Sequence, residues 1–267
     1  MHNCARRKME YAILLARAEE LSFADESFSR VYFGNEFCQE LIPSAKTLDQ
    51  VLKRTSHLDF TLATPYVTNE GLRRLERLFR RLSEEGEGTE VVFNDWGVFH
   101  LLKSKYPCLE PVMGRLLNKA KRDPRIAAVL SRLPEEDVRY FKASNLELEH
   151  FREFLSAGGI RRVEFDNLLQ GFDLSFEGID LSLYLPFAYV TTTRYCLANG
   201  CDDPEKRGVV GIFPCKRECE THTFFLEHEA VPVTLIRKGN TVFFQNETLP
   251  ENIGRFSRMV IEPKIPM

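Results

Sequence analysis

The feature that most narrows what this chain can fold into is an alternation, up to about residue 190, of short β-type runs with longer helix-type runs. Strand candidates are Arg30–Gly34, Leu58–Ala63, Thr89–Phe93, Pro111–Gly114, Arg139–Lys142, Arg162–Phe165 and Leu181–Val190. Most are rich in Val, Phe, Tyr and Leu and are bounded by Gly, Pro, Asn or Asp, the punctuation expected around strands. Between them, Thr68 is placed to cap a helix whose Leu72, Leu75, Leu78, Phe79 and Leu82 share one face. Asn145 likewise precedes a helical stretch over Leu146–Ala157, which Gly158–Gly159 ends. Strands alternating with helices predict parallel βαβ units and hence an α/β fold.

The last third changes character. Cys196–Glu220 is polar, cysteine-rich and without periodicity. It is followed by β-type runs at Thr223–Glu227 and Val231–Ile236, a turn at Lys238–Gly239–Asn240, a strand at Thr241–Gln245 and a last one at Ser257–Ile261. The pattern predicts a TIM-like β/α barrel of about eight strands as a single domain over residues 1–267. A cysteine-rich loop and antiparallel excursion over residues 191–250 is then inserted in the barrel.

Charge excludes some roles. With 36 basic and 39 acidic side chains in 267 residues, the chain lacks the overall footprint of a strong non-specific nucleic-acid binder. No apolar run reaches the roughly 18 residues a membrane-spanning helix requires, so no membrane insertion is expected. Met1–Leu21 carries Arg6, Arg7 and Lys8, and its apolar stretch Tyr11–Ala16 is cut short by Arg17, Glu19 and Glu20. It reads as a first amphipathic helix and not as a secretory leader. A cytoplasmic location follows, with the seven cysteines as reduced thiols or metal ligands.

In a β/α barrel the loops after the strands form the rim that carries chemistry. Here polar residues follow several apolar runs: Asn35 and Glu36, Thr64 to Tyr66, Asn94 and Asp95, Arg115 and Asn118, Asp166 and Asn167. Strand alternation puts Val163 and Phe165 on one face and Glu164 with Asp166 on the other. If the apolar pair packs under outer helices, both carboxylates point inward and form a candidate acid/base couple. Asp95, Arg115, Asn118, Glu164 and Asp166 are the candidate catalytic residues, with Arg115 suited to an anionic substrate group. The same residue types also cap helices and pair with arginines.

Cys196, Cys201, Cys215 and Cys219 crowd into 24 residues as C-x4-C-x13-C-x3-C. Thiolates favour zinc or iron–sulfur clusters over hard cations, and these spacings are compatible with either. Cys38, just after the Arg30–Gly34 run, lies on the rim where the late loop should emerge. Cys38 and Cys201 therefore compete for a fourth place beside Cys196, Cys215 and Cys219.

The segments Val31–Tyr–Phe–Gly–Asn–Glu–Phe–Cys38, Thr64–Pro–Tyr–Val–Thr–Asn–Glu–Gly71, Asn94–Asp–Trp–Gly97 and Gly114–Arg–Leu–Leu–Asn–Lys119 resemble the U-32 family of collagenase-like peptidases. So does the arrangement Arg194–Tyr–Cys196 with Cys215-x3-Cys219, and the similarity is greatest to the branch of UbiU and UbiV. The resemblance implies a β/α barrel with a 4Fe–4S cluster on Cys38, Cys196, Cys215 and Cys219. It also implies a part in oxygen-independent hydroxylation, on a small molecule or an RNA, with a second U-32 barrel protein as heterodimer partner. The family spaces its first two late cysteines further apart, and Cys201 has no assured counterpart. Two other readings compete with this one. A zinc-binding peptidase-like hydrolase would need an open metal position, yet four cysteine ligands close a zinc site, and the six histidines form no HExxH pair. A non-catalytic partner subunit would expose one ring from each of the pairs Phe224–Phe225 and Phe243–Phe244.

Overall fold

The structure, a computed structural model, describes residues 8–206, 209 and 214–267. Eight parallel strands close a barrel: β1 (Glu10–Leu15), β2 (Arg30–Gly34), β3 (Asp59–Ala63), β4 (Glu90–Phe93), β5 (Glu110–Met113), β6 (Arg162–Asp166), β7 (Asp180–Leu185) and, after an excursion, β12 (Arg258–Ile261). β12 lies between β7 and β1 and completes the ring. The excursion holds β8 (Phe187–Thr192), β9 (Phe224–Leu226), β10 (Leu235–Lys238) and β11 (Thr241–Gln245), paired antiparallel in the order β8-β11-β10-β9. The expected TIM-like α/β barrel is thus the observed fold.

Helices α1 (Ala45–Arg54), α2 (Asn69–Ser83), α3 (Trp96–Lys105), α4 (Arg125–Val129), α5 (Glu135–Lys142) and α6 (Glu149–Ala157) lie between the strands in sequence. α2 buries Leu75, Leu78, Phe79 and Leu82 as its periodicity predicts. Val163 and Phe165 join this outer core, while Ala12, Leu14, Tyr32, Ala63, Val92, Val112, Tyr184 and Val260 form a separate core inside the barrel.

Four local expectations are corrected. The segment read as an amphipathic helix instead contributes β1, whose last four residues are buried; residues 1–7 of that expectation lie outside the described residues. Arg139–Lys142, read as a strand, is the last turn of α5. Acidic Glu135, Glu136 and Asp137 in its first turn and basic Arg139 and Lys142 in its last oppose the helix dipole favourably. Leu181–Val190 is two strands in different sheets, divided at Pro186, which has no N–H to continue a ladder. Thr68 stands at the N-cap of α2, as expected, but its side chain does not accept from the helix, and Asn145 does not cap α6. Thr68 donates both its N–H and its hydroxyl to Gln39 Oε1, and Ser144 accepts from Leu146 N at the head of a short turn before α6.

β2 ends on Gly34 at φ +125°, where a Cβ would stand 2.3 Å from the carbonyl oxygen of Ala63. Only glycine permits that close approach, which turns the chain from β2 onto the rim at Asn35.

Candidate functional site

Local hydrogen bonds set the first wall of the site. Asn35 Oδ1 accepts the N–H of Phe37 at 2.9 Å and of Cys38 at 2.8 Å, an Asx-type turn that fixes the Cys38 backbone. Asn35 Nδ2 in turn donates to the carbonyl of Pro266 at 3.1 Å. Asn240, at the β10–β11 turn, donates to the carbonyls of Phe37 and Thr193, each at 2.7 Å. The early strand end and the excursion are thereby tied together.

The second wall is the late loop, and Glu218 organises it. Its buried carboxylate accepts the N–H of Gly200 at 2.8 Å through Oε1 and of Lys216 at 3.2 Å through Oε2. Burial works to raise the Glu218 pKa, but these backbone donors outweigh it and the net shift is downward. One carboxylate thus joins the Cys196–Cys201 turn to the Cys215–Cys219 turn. Sequence reasoning passed over Glu218; its position just before Cys219 in a polar loop was the available signal.

Between these walls lies a cavity of about 490 Å³ lined by Cys38, Cys196, Cys215 and Cys219, with Tyr66 and Met267 among its other neighbours. Burial pushes the Cys38 thiol up to about 11 and the Cys219 thiol up to about 12. The neighbouring sulfurs add to this: Cys38 faces Cys215 and Cys196, and Cys219 faces Cys196, Cys38 and Cys215. Burial also raises the Cys196 thiol, with Cys215 adding to the effect. Cys201 is outside this set, its charged neighbours being Asp202 and Glu218. Cys108 packs against the barrel's outer core, and Cys4 lies outside the described residues. Of the five cysteines that competed, the fold brings four to one cavity and leaves Cys201 aside.

Among the described residues, no three Cys, His, Asp or Glu side chains converge closely enough to hold a single metal ion. A tetrahedral zinc draws its sulfurs to within about 4 Å of one another, since each Zn–S bond is about 2.3 Å; a polynuclear cluster spans a wider set. His222 and His228 are engaged locally, with Thr221 and with the N–H of Ala230 respectively.

Beneath the cavity the barrel mouth is closed by charge. Arg115 is fully buried and donates to Glu36 at 2.8 Å, Asp166 at 3.0 Å, Glu262 at 2.6 Å and the Phe187 carbonyl at 3.1 Å. Its guanidinium lies 4.0 Å from the Tyr184 ring centre. The donors expected to meet an anionic substrate are therefore taken up internally, a correction to that role. Asp166 is held from its other oxygen by Arg122 and also accepts from Tyr189 N at 3.2 Å. Burial pushes Glu262 up to about 8 against the opposing pull of Arg115.

Glu164 is buried inside the barrel, as alternation on β6 predicts, but it has different partners from Asp166. Tyr32 donates to its Oε1 at 2.9 Å, its Oε2 has no partner among the described residues, and burial pushes it up to about 7. Asn118 is buried and donates to the carbonyl of Glu164 at 3.1 Å. Asp95 is the N-cap of α3, accepting from Gly97 N at 2.7 Å and Val67 N at 3.2 Å; its carboxylate serves the fold. Glu36, which accepts from Arg115 and Asn94, and Glu262, which accepts from Arg115 and Phe187 N, were not among the candidates; Glu262 just past β12 is the same strand-end signal as the rest.

No protein-family model and no curated protein matches this sequence. Among solved structures, a U32 peptidase aligns over 99% of this chain and 96% of its own at 10% identity, with a TM-score of 0.44. A glycoside hydrolase family 18 N-acetylglucosaminidase from Paenibacillus barengoltzii aligns over 95% of this chain and 94% of its own at 8% identity and 0.34. A class V chitinase mutant from Cycas revoluta covers 94% of both chains at 10% identity and 0.35. Similarities of this size assign neither family nor activity.

Proposed function

We propose that Cys38, Cys196, Cys215 and Cys219 hold a 4Fe–4S cluster at the barrel mouth of a protein of the U-32 family, in the branch of UbiU and UbiV. Its role is in oxygen-independent hydroxylation or a related modification. The observation that carries this reading is the convergence of those four thiols, from three stretches of chain, on one cavity that excludes Cys201. Four soft thiolate donors lining one cavity suit an iron–sulfur cluster. When bound, such a group would supply one-electron transfer, since four thiolates leave no iron open.

The chain's own residues then have defined tasks. Asn35 and Glu218 hold the two walls in register, and the Arg115 network closes the floor against water from the barrel interior. Glu36, Glu164 and Glu262, each pushed up by burial, are groups able to hold a proton in the barrel beneath the cavity. A second barrel protein as partner is supported by Phe225, which is 68% exposed on the edge strand β9. Phe243 and Phe244 lend it nothing, because both are buried, on opposite sides of β11.

The test is anaerobic purification with iron, sulfide and zinc measured together. About four irons and four sulfides per chain are expected, lost in Cys38→Ser, Cys196→Ser, Cys215→Ser and Cys219→Ser and retained in Cys201→Ser. One zinc per chain without sulfide would reject the reading.

A further inference from the structure

Beside the thiol cavity lies a second one, also of about 490 Å³, which the reading above leaves unassigned. Its walls include Asn118, Lys119, Arg122 and Tyr189, and it shares Tyr66 and Arg194 with the thiol cavity. Three cations therefore border one space. Arg122 is committed: it pairs with Asp166, donates to the carbonyls of Arg115 at 2.8 Å and Asn118 at 3.2 Å, and lies 3.8 Å from the Tyr189 ring centre.

Lys119 and Arg194 are not so committed. Lys119 Nζ donates to the Leu116 carbonyl at 2.8 Å, which leaves two of its three N–H groups. Arg194 lies 5.8 Å from the Tyr66 ring centre and makes one long contact, 3.5 Å, to the Val67 carbonyl. Neither has a carboxylate partner among the described residues. The nearby carboxylates, Asp166, Glu36 and Glu262, are absorbed by Arg115 and Arg122. Asn118, 1% exposed, donates its amide N–H to the Glu164 carbonyl and backs the cavity wall.

We propose that this cavity binds the anionic end, a carboxylate or a phosphate, of a small-molecule substrate between Lys119 and Arg194. The volume lies within the range of small-molecule sites. Burial and then Arg122 lower the Lys119 pKa, the sign expected of a cationic pocket that lacks its counter-charge. Tyr66 and Arg194, common to both walls, make the thiol cavity its neighbour. The inference rests on the barrel mouth alone and stands whether or not the thiols hold a cluster.

The experiment is calorimetric titration of the full chain, as purified, with inorganic phosphate and separately with benzoate at low ionic strength. Saturable binding of at least one anion is expected. It should weaken roughly tenfold in Lys119→Gln and in Arg194→Gln, the scale of one charged hydrogen bond, with unchanged thermal midpoints. Lys264→Gln serves as the neutral control. Preference for benzoate identifies a carboxylate ligand and preference for phosphate a phosphorylated one. No saturable binding of either, or undiminished binding in the double variant, overturns the proposal. So does tight binding of a single-stranded RNA that neither anion displaces, which would assign the basic rim to nucleic acid. Iron and sulfide content, read on the same samples, reports the cluster independently of these isotherms.

Discussion

Glu218 shows how one side chain can organise a site to which it lends no ligand atom. Its two oxygens each hold a backbone N–H from a different turn of the cysteine loop. Glu218→Ala should release those turns from each other and expose the loop's lysines and arginines. Limited trypsinolysis between residues 196 and 219 is expected to speed up about tenfold, from losing about 1–2 kcal/mol of local hydrogen bonding. The barrel's melting temperature should hardly move; a large drop would show that Glu218 supports the whole fold. Arg115 is the opposite case, because three carboxylates depend on it. Arg115→Met leaves Glu36 and Glu262 buried without an ionic partner, while Asp166 keeps Arg122, and should cost about 3–5 kcal/mol in urea unfolding. Adding Glu262→Gln should recover part of that loss, whereas a purely additive double variant would contradict the shared network.

At the scale of elements, short polar segments mark where the barrel strands end and the helices begin. Asp95 ends the turn after β4 and caps α3 through Gly97 N. Asp95→Ala should cost about 1 kcal/mol and Asp95→Asn much less, since the amide oxygen can still accept. Chemical denaturation of the two variants checks this, and equal losses would point to a role for the charge itself. The elements easiest to read in the sequence were those with one uninterrupted signal, such as α2 with its apolar stripe and β2 to β4 with their bounded apolar runs. β1 was obscured because Glu10–Leu15 sits within a basic, apparently amphipathic stretch. Arg139–Lys142 misled because four residues carry no helical period; the Pro134 and acidic first turn before it were the better guide. β7 and β8 looked like one strand because nothing local says that the chain changes sheets at Pro186.

For the whole molecule, charge inside the barrel sets the pH range of stability. Arg258 holds Glu90 down at about 2, outweighing the burial that would raise it. Its contribution is present above the ordinary carboxylate range and is lost as pH falls towards 2. Glu164 at about 7 and Glu262 at about 8 act in the other direction, because burial keeps them protonated when the unfolded chain is ionised. Their contribution is complete below pH 4.5 and is lost as pH rises through 7 and 8. Stability should therefore peak near pH 4.5 and fall from there by about 1.4 kcal/mol per pH unit for each proton held only by the folded state, levelling off once pH passes 7 for Glu164 and 8 for Glu262. Glu262→Gln should flatten that decline between pH 4.5 and 8 in melting curves; an unchanged slope would remove Glu262 as its source. By itself the sequence determined the alternating pattern, and so the barrel, the inward carboxylates of β6 and the cysteine-rich insertion, because hydrophobic periodicity and residue type act locally. Only the tertiary structure decided that Cys38 and not Cys201 joins the late thiols, that Arg115 is spent on three carboxylates, and that Lys119 and Arg194 are left facing a cavity. Those outcomes depend on which strand ends meet across a closed ring, and ring closure brings together residues whose separation along the chain carries no local signal.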